Sequence, residues 1–299
     1  MFLIPRRQIW TQQPQGAVEI DWSNPLTRGL TYATADGAGG AVSSITSLGS
    51  VPKIADRWGK GDYFDGSSQK IAKNSLVGRS LDLTVCVLHK STVLPPNGPT
   101  YSHVLASTTG ASAADYYGWI LMLGNGTGFP QFRVYQSNSG TQDAECDATT
   151  GALNNGKPHV TIATVFGGPG GAMSLDVDGK TVASSTHPTG LYSWTNNLAI
   201  GKARHAFWGG FKGSIGAVFV FDRVLSAKER SSLSANPWQI FKRPDSRIFV
   251  PVSAGGTTTS LIVQDATHAH VADGVTLTTQ WMLTVAEALH GHAADNITL

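Results

Sequence analysis

Ala172-Met-Ser-Leu-Asp-Val177 followed by Asp178-Gly179 is a strand-like run closed by a two-residue turn, and the chain repeats that arrangement along most of its length. Gly and Asn tolerate positive φ, so Asp-Gly and Asn-Gly pairs between apolar runs are the chemistry of tight hairpins. Upstream, His159–Phe166 lies between Asn154-Asn-Gly156 and Gly167-Gly-Pro-Gly-Gly171. Gly118–Leu123 and Gln131–Tyr135 flank Gly124-Asn-Gly126, and Leu81–Leu88 precedes Pro95-Pro-Asn-Gly98. Downstream come Leu198–Gly201 and Ser214–Phe221. Regularly spaced strands with such turns predict a β-sandwich.

Composition agrees. The 299 residues include 34 Gly and 14 Pro, with 14% charged against 41% hydrophobic, which suits short strands and tight turns better than long helices. A formal net charge of +2 without any Lys or Arg run leaves no electrostatic footprint for nucleic acid or an anionic membrane. No stretch is apolar and long enough to span a bilayer, so neither nucleic acid nor membrane insertion is expected. Cys86 and Cys146 show no metal or disulfide spacing, and Cys86 reads as a buried strand residue. Met1-Phe-Leu-Ile-Pro-Arg-Arg7 has no continuous apolar segment behind its charges, so a route out of the cell by assembly and lysis is expected rather than export by a signal peptide.

One helix is predicted within Leu225–Leu233, where Ser226 caps the first turn, Glu229 completes a capping box and Asn236-Pro237 stops the chain. Trp22, Trp58, Trp119 and Trp238 are assigned to packing. Past Val250 the composition changes. We divide the chain into an N-terminal arm (1–22), a sandwich domain (23–250), a small polar linker (251–260) and a repetitive tail (261–299). In the tail, Val263–Leu277 aligns without a gap on Val285–Leu299, an offset of 285 − 263 = 22 residues, the kind of period that marks stacked or fibrous units.

Several segments together resemble the laminin-G-like, concanavalin A-like lectin/glucanase family. They are Tyr63-Phe-Asp-Gly66, Leu81-Asp-Leu-Thr-Val85, Gly156-Lys-Pro-His159, Leu175-Asp-Val-Asp-Gly-Lys180, Ile200-Gly201, Phe211-Lys-Gly-Ser-Ile-Gly-Ala-Val218 and Phe221-Asp-Arg-Val-Leu-Ser226. Their order and spacing carry the resemblance over roughly residues 23–241. It implies an all-β, concanavalin A-like jelly-roll sandwich, here with a short helix near its end and an extended repetitive C-terminal tail. It also implies use as a carbohydrate or protein binder. The flanks, Trp10-Thr-Gln-Gln-Pro-Gln-Gly16, Asn24-Pro-Leu-Thr-Arg-Gly-Leu30 and Asn236-Pro-Trp-Gln-Ile-Phe241, together with the His-x-His repeats, are similar to virion proteins of tailed bacteriophages. That implies a virion location, assembly in a host cytoplasm, and other virion proteins as partners. Gly216-Ala217 stands where the family often has acidic residues, so that marker offers no calcium ligands. Asp65, Asp176 and Asp178 are the remaining oxygen donors, with Asp178-Gly179 read first as a hairpin turn.

Catalytic chemistry is not expected. Glucanases of this class alternate carboxylates along one strand. Of the glutamates Glu19, Glu145, Glu229 and Glu287, the one weighed for such a pair is Glu145, with Asp147 two residues away. Thr141-Gln-Asp-Ala-Glu-Cys-Asp147 reads as a solvated polar loop, and no Gly-x-Ser-x-Gly, HExxH or P-loop occurs. Glycan binding wants exposed aromatic faces beside amides and hydroxyls. Leu191–Asn197 and Lys202–Gly209 offer that mixture, so Tyr192, Trp194, Asn196, Arg204, His205 and Trp208 are the candidate ligand residues. The competing role for these aromatics is to anchor loops over the sandwich.

His268-x-His270 and His290-x-His292 place two imidazoles on one side of an extended chain. In the phage fibres that the tail resembles, three chains bring six imidazoles around one axial transition-metal ion, usually iron. The same arrangement here makes a metal-bound homotrimer, against the alternative of solvated spacers. The expected protein is thus a tail fibre or tip binding a host-surface glycan. The alternatives are a capsid decoration protein without a glycan ligand and, third, a polysaccharide-degrading enzyme.

Overall fold

The computed structural model describes residues 18–35, 45–48, 53–56, 59–67, 69–72, 82–95, 103–108, 118–135, 142–167, 170–187, 197–204, 208–242, 275–276 and 297–298. The chain divides into two compact units, Gln8–Arg243 and the combination of Met1–Arg7 with Pro244–Leu299. In chain order the first unit holds β1 (Glu19–Ile20), β2 (Leu30–Ala35), β3 (Ile45–Leu48), β4 (Lys53–Asp56), β5 (Gly59–Asp65), β6 (Gln69–Ala72), β7 (Leu83–Lys90) and β8 (His103–Ser107). It continues through β9 (Gly118–Leu123), β10 (Pro130–Tyr135), β11 (Gln142–Asp147), β12 (Pro158–Val165), β13 (Gly171–Val177), β14 (Lys180–His187), β15 (Leu198–Ile200), β16 (Lys212–Phe221), α1 (Ala227–Ala235) and β17 (Phe241–Lys242).

The strands form two large antiparallel sheets. One has seven strands in the order β11-β10-β9-β8-β15-β6-β3. The other has eight, in the order β14-β13-β12-β7-β16-β5-β4, with β2 also paired to β16. Alternate residues of both sheets meet in the main core: Val85 and Val87 from β7, Ala163 and Val165 from β12, Trp119 and Leu121 from β9, and Phe132 and Val134 from β10. This is the β-sandwich that the turn spacing predicts, with the concanavalin A-like fold expected from the resemblance.

β7 is buried along nearly its whole length because both its faces are covered. Leu83, Val85 and Val87 point into the main core. Cys86 and Leu88 point the other way, into a second cluster with Ile162, Phe219, Leu233, Trp238 and Phe241. That double cover is why Leu83–Leu88 reads as a continuous apolar run instead of an alternating one. Cys86 and Cys146 are both buried free thiols.

α1 forms where the capping chemistry places it. Ser226 accepts from the Glu229 backbone N–H while the Glu229 side chain returns to the Ser226 backbone N–H. Asn236 closes the helix and opens a 3-10 turn over Pro237–Ile240. The Asp178-Gly179 turn is a type I′ hairpin, with φ of 50° and 81° at its two central residues.

The structure also departs from expectation. Trp22, assigned to packing, is 62% exposed, whereas Trp119 and Trp238 are buried; Trp58 lies outside the described residues. Within the stretch read as a polar loop, Gln142–Asp147 is a strand, β11, paired antiparallel with β10. Its outward side chains are polar because only one of its faces is covered. The sandwich also reaches further toward the N-terminus than residue 23. Val18 and Ile20 join the second cluster, and β1 pairs with β17.

In the other unit, β18 (Val275–Thr276) and β19 (Ile297–Thr298) pair in parallel, Val275 opposite Ile297 and Thr276 opposite Thr298. The register of 297 − 275 = 22 residues equals the period of the sequence repeat.

Candidate functional site

Strand alternation sorts β10 and β11 into a core side and an outer side. Phe132 and Val134, with Ala144 and Cys146, face the core. Gln131, Arg133 and Tyr135, with Glu145 and Asp147, therefore share the outer face of the seven-stranded sheet. The ladder sets Gln131 opposite Asp147 and Arg133 opposite Glu145. On the other side of β10, Gln131 faces Met122 and Arg133 faces Ile120, and Met122 in turn faces Val104. A polar strip thus runs beside an apolar one.

Arg133 Nη2 donates to Asp147 Oδ2 at 2.9 Å, and Gln131 Nε2 donates to the same oxygen at 2.9 Å. Glu145 Oε2 lies 3.7 Å from Arg133 Nη2. Burial raises the Asp147 carboxyl above its ordinary range; the Arg133 hydrogen bond and charge pull it back, and Glu145 pushes it further up. For Arg133, burial works against the charged form, but Asp147 outweighs it and raises the guanidinium pKa. Asp147 Oδ1 and Arg133 Nε are buried and make no hydrogen bond among the described residues.

The apolar strip is walled by the loop that joins β15 to β16. Ala203 and Trp208 pack with Val104, Ile120, Met122 and Tyr135, and the Trp208 and Tyr135 rings meet edge to face with centroids 6.2 Å apart. The loop base is closed by Phe211 N–H donating to the Gly201 carbonyl and Gly201 N–H donating to that of Leu105. Gly210 must be glycine for this approach, since a Cβ there would stand 2.1 Å from the Gly66 carbonyl oxygen.

Trp208 is therefore corrected from a ligand residue to a loop anchor. It is buried, and its ring is spent on Tyr135 and the sheet. Arg204 is partly exposed on the same loop. Tyr192, Trp194, Asn196 and His205 lie outside the described residues, as do His268, His270, His290 and His292. The polar strip was not singled out from the sequence. Its signal was the alternation Gln131-x-Arg133-x-Tyr135 and Glu145-x-Asp147, visible only once β11 is known to be a strand.

Other titratable groups have partners of their own. His159 Nδ1 donates to Asp178 Oδ2 at 2.8 Å, and Asp178 Oδ1 accepts from Val160 N–H. Asp176 binds Arg230 and accepts from Thr181, and Asp65 accepts from Ser67. The three carboxylates that could have served calcium are each engaged with protein groups. Among the described residues no three His, Cys, Asp or Glu side chains group as metal ligands, and no helix is long and apolar enough to cross a membrane.

Residues 64–229, just over half of the chain, match the concanavalin A-like lectin/glucanases superfamily. The chain belongs to that superfamily. Among solved structures, the superfamily fold aligns with the binding domain of Paraclostridial Mosquitocidal Protein 1 at TM-score 0.53 and 14% identity, over 70% of this chain and 52% of that one. It also aligns with domain 4 of AbnA, a GH43 extracellular arabinanase from Geobacillus stearothermophilus solved with arabinotriose, at TM-score 0.51 and 16% identity, over 69% of this chain and 98% of that one. A third is a structure reported for ganglioside-dependent cell entry of botulinum neurotoxin type C, at TM-score 0.50 and 12% identity, over 69% and 50% of the two chains. The chain spans about half the length of the toxin structures. At these identities the likeness establishes the fold of a lectin-like domain. No curated protein matches the chain in sequence.

Proposed function

We propose that this lectin-like domain binds carbohydrate on the outer face of its seven-stranded sheet. The observation that carries the reading is the strip of Gln131, Arg133, Glu145 and Asp147 on that face, bordered by the loop whose Trp208 packs with the buried Tyr135, Ile120 and Met122. Sugars present hydroxyls on their rims, and an amide, a guanidinium and carboxylates gathered on one face are the donors and acceptors that meet them. Structural relatives solved with arabinotriose or reported to enter cells through gangliosides support a glycan ligand in kind. The test is a glycan array followed by calorimetry on the best ligand, with Gln131→Ala and Glu145→Ala. At least a tenfold loss of affinity in folded variants is expected, and unchanged affinity in both would remove the face from consideration.

Glu145 and Asp147 alternating on one strand favour a second reading as a glycosidase. The binder is preferred because Asp147 Oδ2 is taken by Arg133 and Gln131 and its Oδ1 is buried, so neither oxygen is open to a leaving group. Release of reducing ends from a polysaccharide, abolished by Glu145→Gln, would reverse the order of the two readings.

We further propose, from the flanking sequences, that the protein is a phage virion component, a tail fibre or tip engaging a host-surface glycan in preference to a capsid decoration protein. The tail from 261 to 299 would hold three chains together, with His268, His270, His290 and His292 binding a transition metal, iron in the first instance. Support for a stacked tail unit comes from the agreement between the 22-residue repeat and the β18–β19 register. Direct imaging of assembled particles tests the location.

A further inference from the structure

We infer that Asp147 is a positioning residue of the proposed glycan face, fixing Gln131 as a hydrogen-bond acceptor and Arg133 as a donor toward the ligand. The ligand class that follows is a hexose edge with a free hydroxyl to donate to Gln131 and a neighbouring oxygen to accept from Arg133. The inference rests on the carbohydrate reading of this face and goes beyond it to the polarity that the face reads.

A side-chain amide carries an oxygen that accepts and a nitrogen that donates, and turning about its last bond exchanges them. An amide free to turn therefore meets donors and acceptors alike. Gln131 is not free. Its Nε2 donates to Asp147 Oδ2 at 2.9 Å, and an oxygen that also receives a guanidinium N–H accepts and does not donate, so the end of the amide turned toward it is the nitrogen. The amide also lies against Gly124, where a Cβ would stand 2.8 Å from Gln131 Cδ and 3.0 Å from Nε2. Gln131 makes no other side-chain hydrogen bond among the described residues. Its Oε1 is thus the end left for a ligand, and it only accepts.

The same Asp147 oxygen orients Arg133, whose Nη2 donates to it at 2.9 Å. Arg133 Nε is buried without a hydrogen bond among the described residues, whereas Nη1 is neither bonded nor buried. Nη1 is therefore the donor open to a ligand, and a guanidinium has no acceptor to offer. Gln131 and Arg133 stand two residues apart on one face of β10, roughly 7 Å along the strand, a spacing that one edge of a single sugar ring covers. Asp147 holds both through one oxygen, and its other oxygen is buried. It acts through its two neighbours and not on the ligand, and one acceptor oxygen is all that the task requires.

The experiment uses the full chain, Asp147→Ala and Asp147→Asn. In the free proteins, two-dimensional NMR follows the Gln131 side-chain amide, assigned by its disappearance in Gln131→Ala. Its protons should exchange slowly in the wild type and in Asp147→Asn, and fast in Asp147→Ala. Saturation-transfer titrations then use the methyl glycosides of glucose, galactose and mannose, with each hydroxyl replaced in turn by fluorine, which keeps the size and removes the hydrogen. In the wild type, fluorine at the hydroxyl donated to Gln131 should cost at least about tenfold in affinity. That ratio should persist in Asp147→Asn, which keeps an acceptor oxygen, and fall below about threefold in Asp147→Ala, where the amide can turn its nitrogen to the fluorine. A ratio that Asp147→Ala leaves unchanged in folded protein, or that Asp147→Asn loses as fully as Asp147→Ala, overturns the positioning role while leaving the face as a glycan site. A wild type that binds none of the three parent glycosides overturns the inference, and one that also binds nothing on the glycan array removes the carbohydrate reading with it.

Discussion

His89 and His103 hold Phe211 from opposite sides, one from each sheet, with ring centroids at 5.9 and 6.1 Å from it and both rings edge-on. Both imidazoles are buried, and the Nδ1 of each makes no hydrogen bond among the described residues. Burial, helped by the His159 charge and opposed by Asp178, lowers His89 to about 3. Burial and Lys212 lower His103 to about 4. A histidine whose folded pKa is depressed contributes stability that is whole above its unfolded value near 6.5 and is lost as pH falls from there toward the folded value. The expected loss by pH 5 is about 2 kcal/mol for His89 and somewhat less for the less enclosed His103. Urea titrations from pH 7.5 to 4.5 should show the midpoint falling, and less steeply in His89→Gln with His103→Phe; a midpoint that ignores pH over this range refutes the assignment. The tryptophans make a second contrast. Trp208→Ala should cost about 3 kcal/mol by thermal or urea unfolding, because it empties a packed contact with Tyr135. Trp22→Ala, at an exposed position, should stay within about 0.5 kcal/mol. Equal effects would mean that exposure does not govern these two sites.

Between elements, the joint that matters most is α1 on the eight-stranded sheet. Leu233 enters the second core cluster, while Arg230 binds Asp176 of β13 and also donates to the Leu225 carbonyl. Both partners are nearly buried, with side chains 11% and 4% exposed. Removing one member strands the other, so Arg230→Ala should destabilise the domain by about 3 kcal/mol. Replacing both, as Arg230→Met with Asp176→Leu, should recover most of that loss. Unfolding midpoints of the single and double variants check this; a double variant as unstable as the single one would mean that the pair is not acting as a pair. β11 shows how an element changes its reading. In isolation Gln142–Asp147 is polar, but paired to β10 it becomes a strand whose Ala144 and Cys146 close the core and whose Glu145 and Asp147 build the outer face.

The two compact units predict separable behaviour. Gln8–Arg243 encloses the described sandwich and both its large clusters, so this fragment is expected to unfold cooperatively as a monomer. The full chain is expected to run as a trimer carrying metal, since a tail of this size buries little by itself. Light scattering and elemental analysis on protein purified without a metal-affinity tag, repeated with all four tail histidines changed to Ala, test both halves. A full chain that is monomeric, or oligomeric without metal and indifferent to the histidine changes, leaves the repeat as a spacer.

What could be read from the chain is whatever depends on near neighbours. Asp178-Gly179 makes its turn because two adjacent residues accept positive φ, Ser226 and Glu229 cap α1 across three positions, and the 22-residue repeat is visible in the letters themselves. These are short-range interactions, whose partners lie within a few residues or recur at a fixed spacing. The polar face depends on β9, β10 and β11 lying side by side, on a loop some seventy residues later in the chain crossing them, and on which side of each strand is covered. The same distinction separates Trp22 from Trp208. Both are tryptophans in turn-rich segments, and reading by local chemistry puts Trp22 in packing and Trp208 at a ligand, the reverse of their exposure. Burial is a property of what folds over a residue from elsewhere, so only the assembled sheets could leave one in solvent and seat the other against Tyr135.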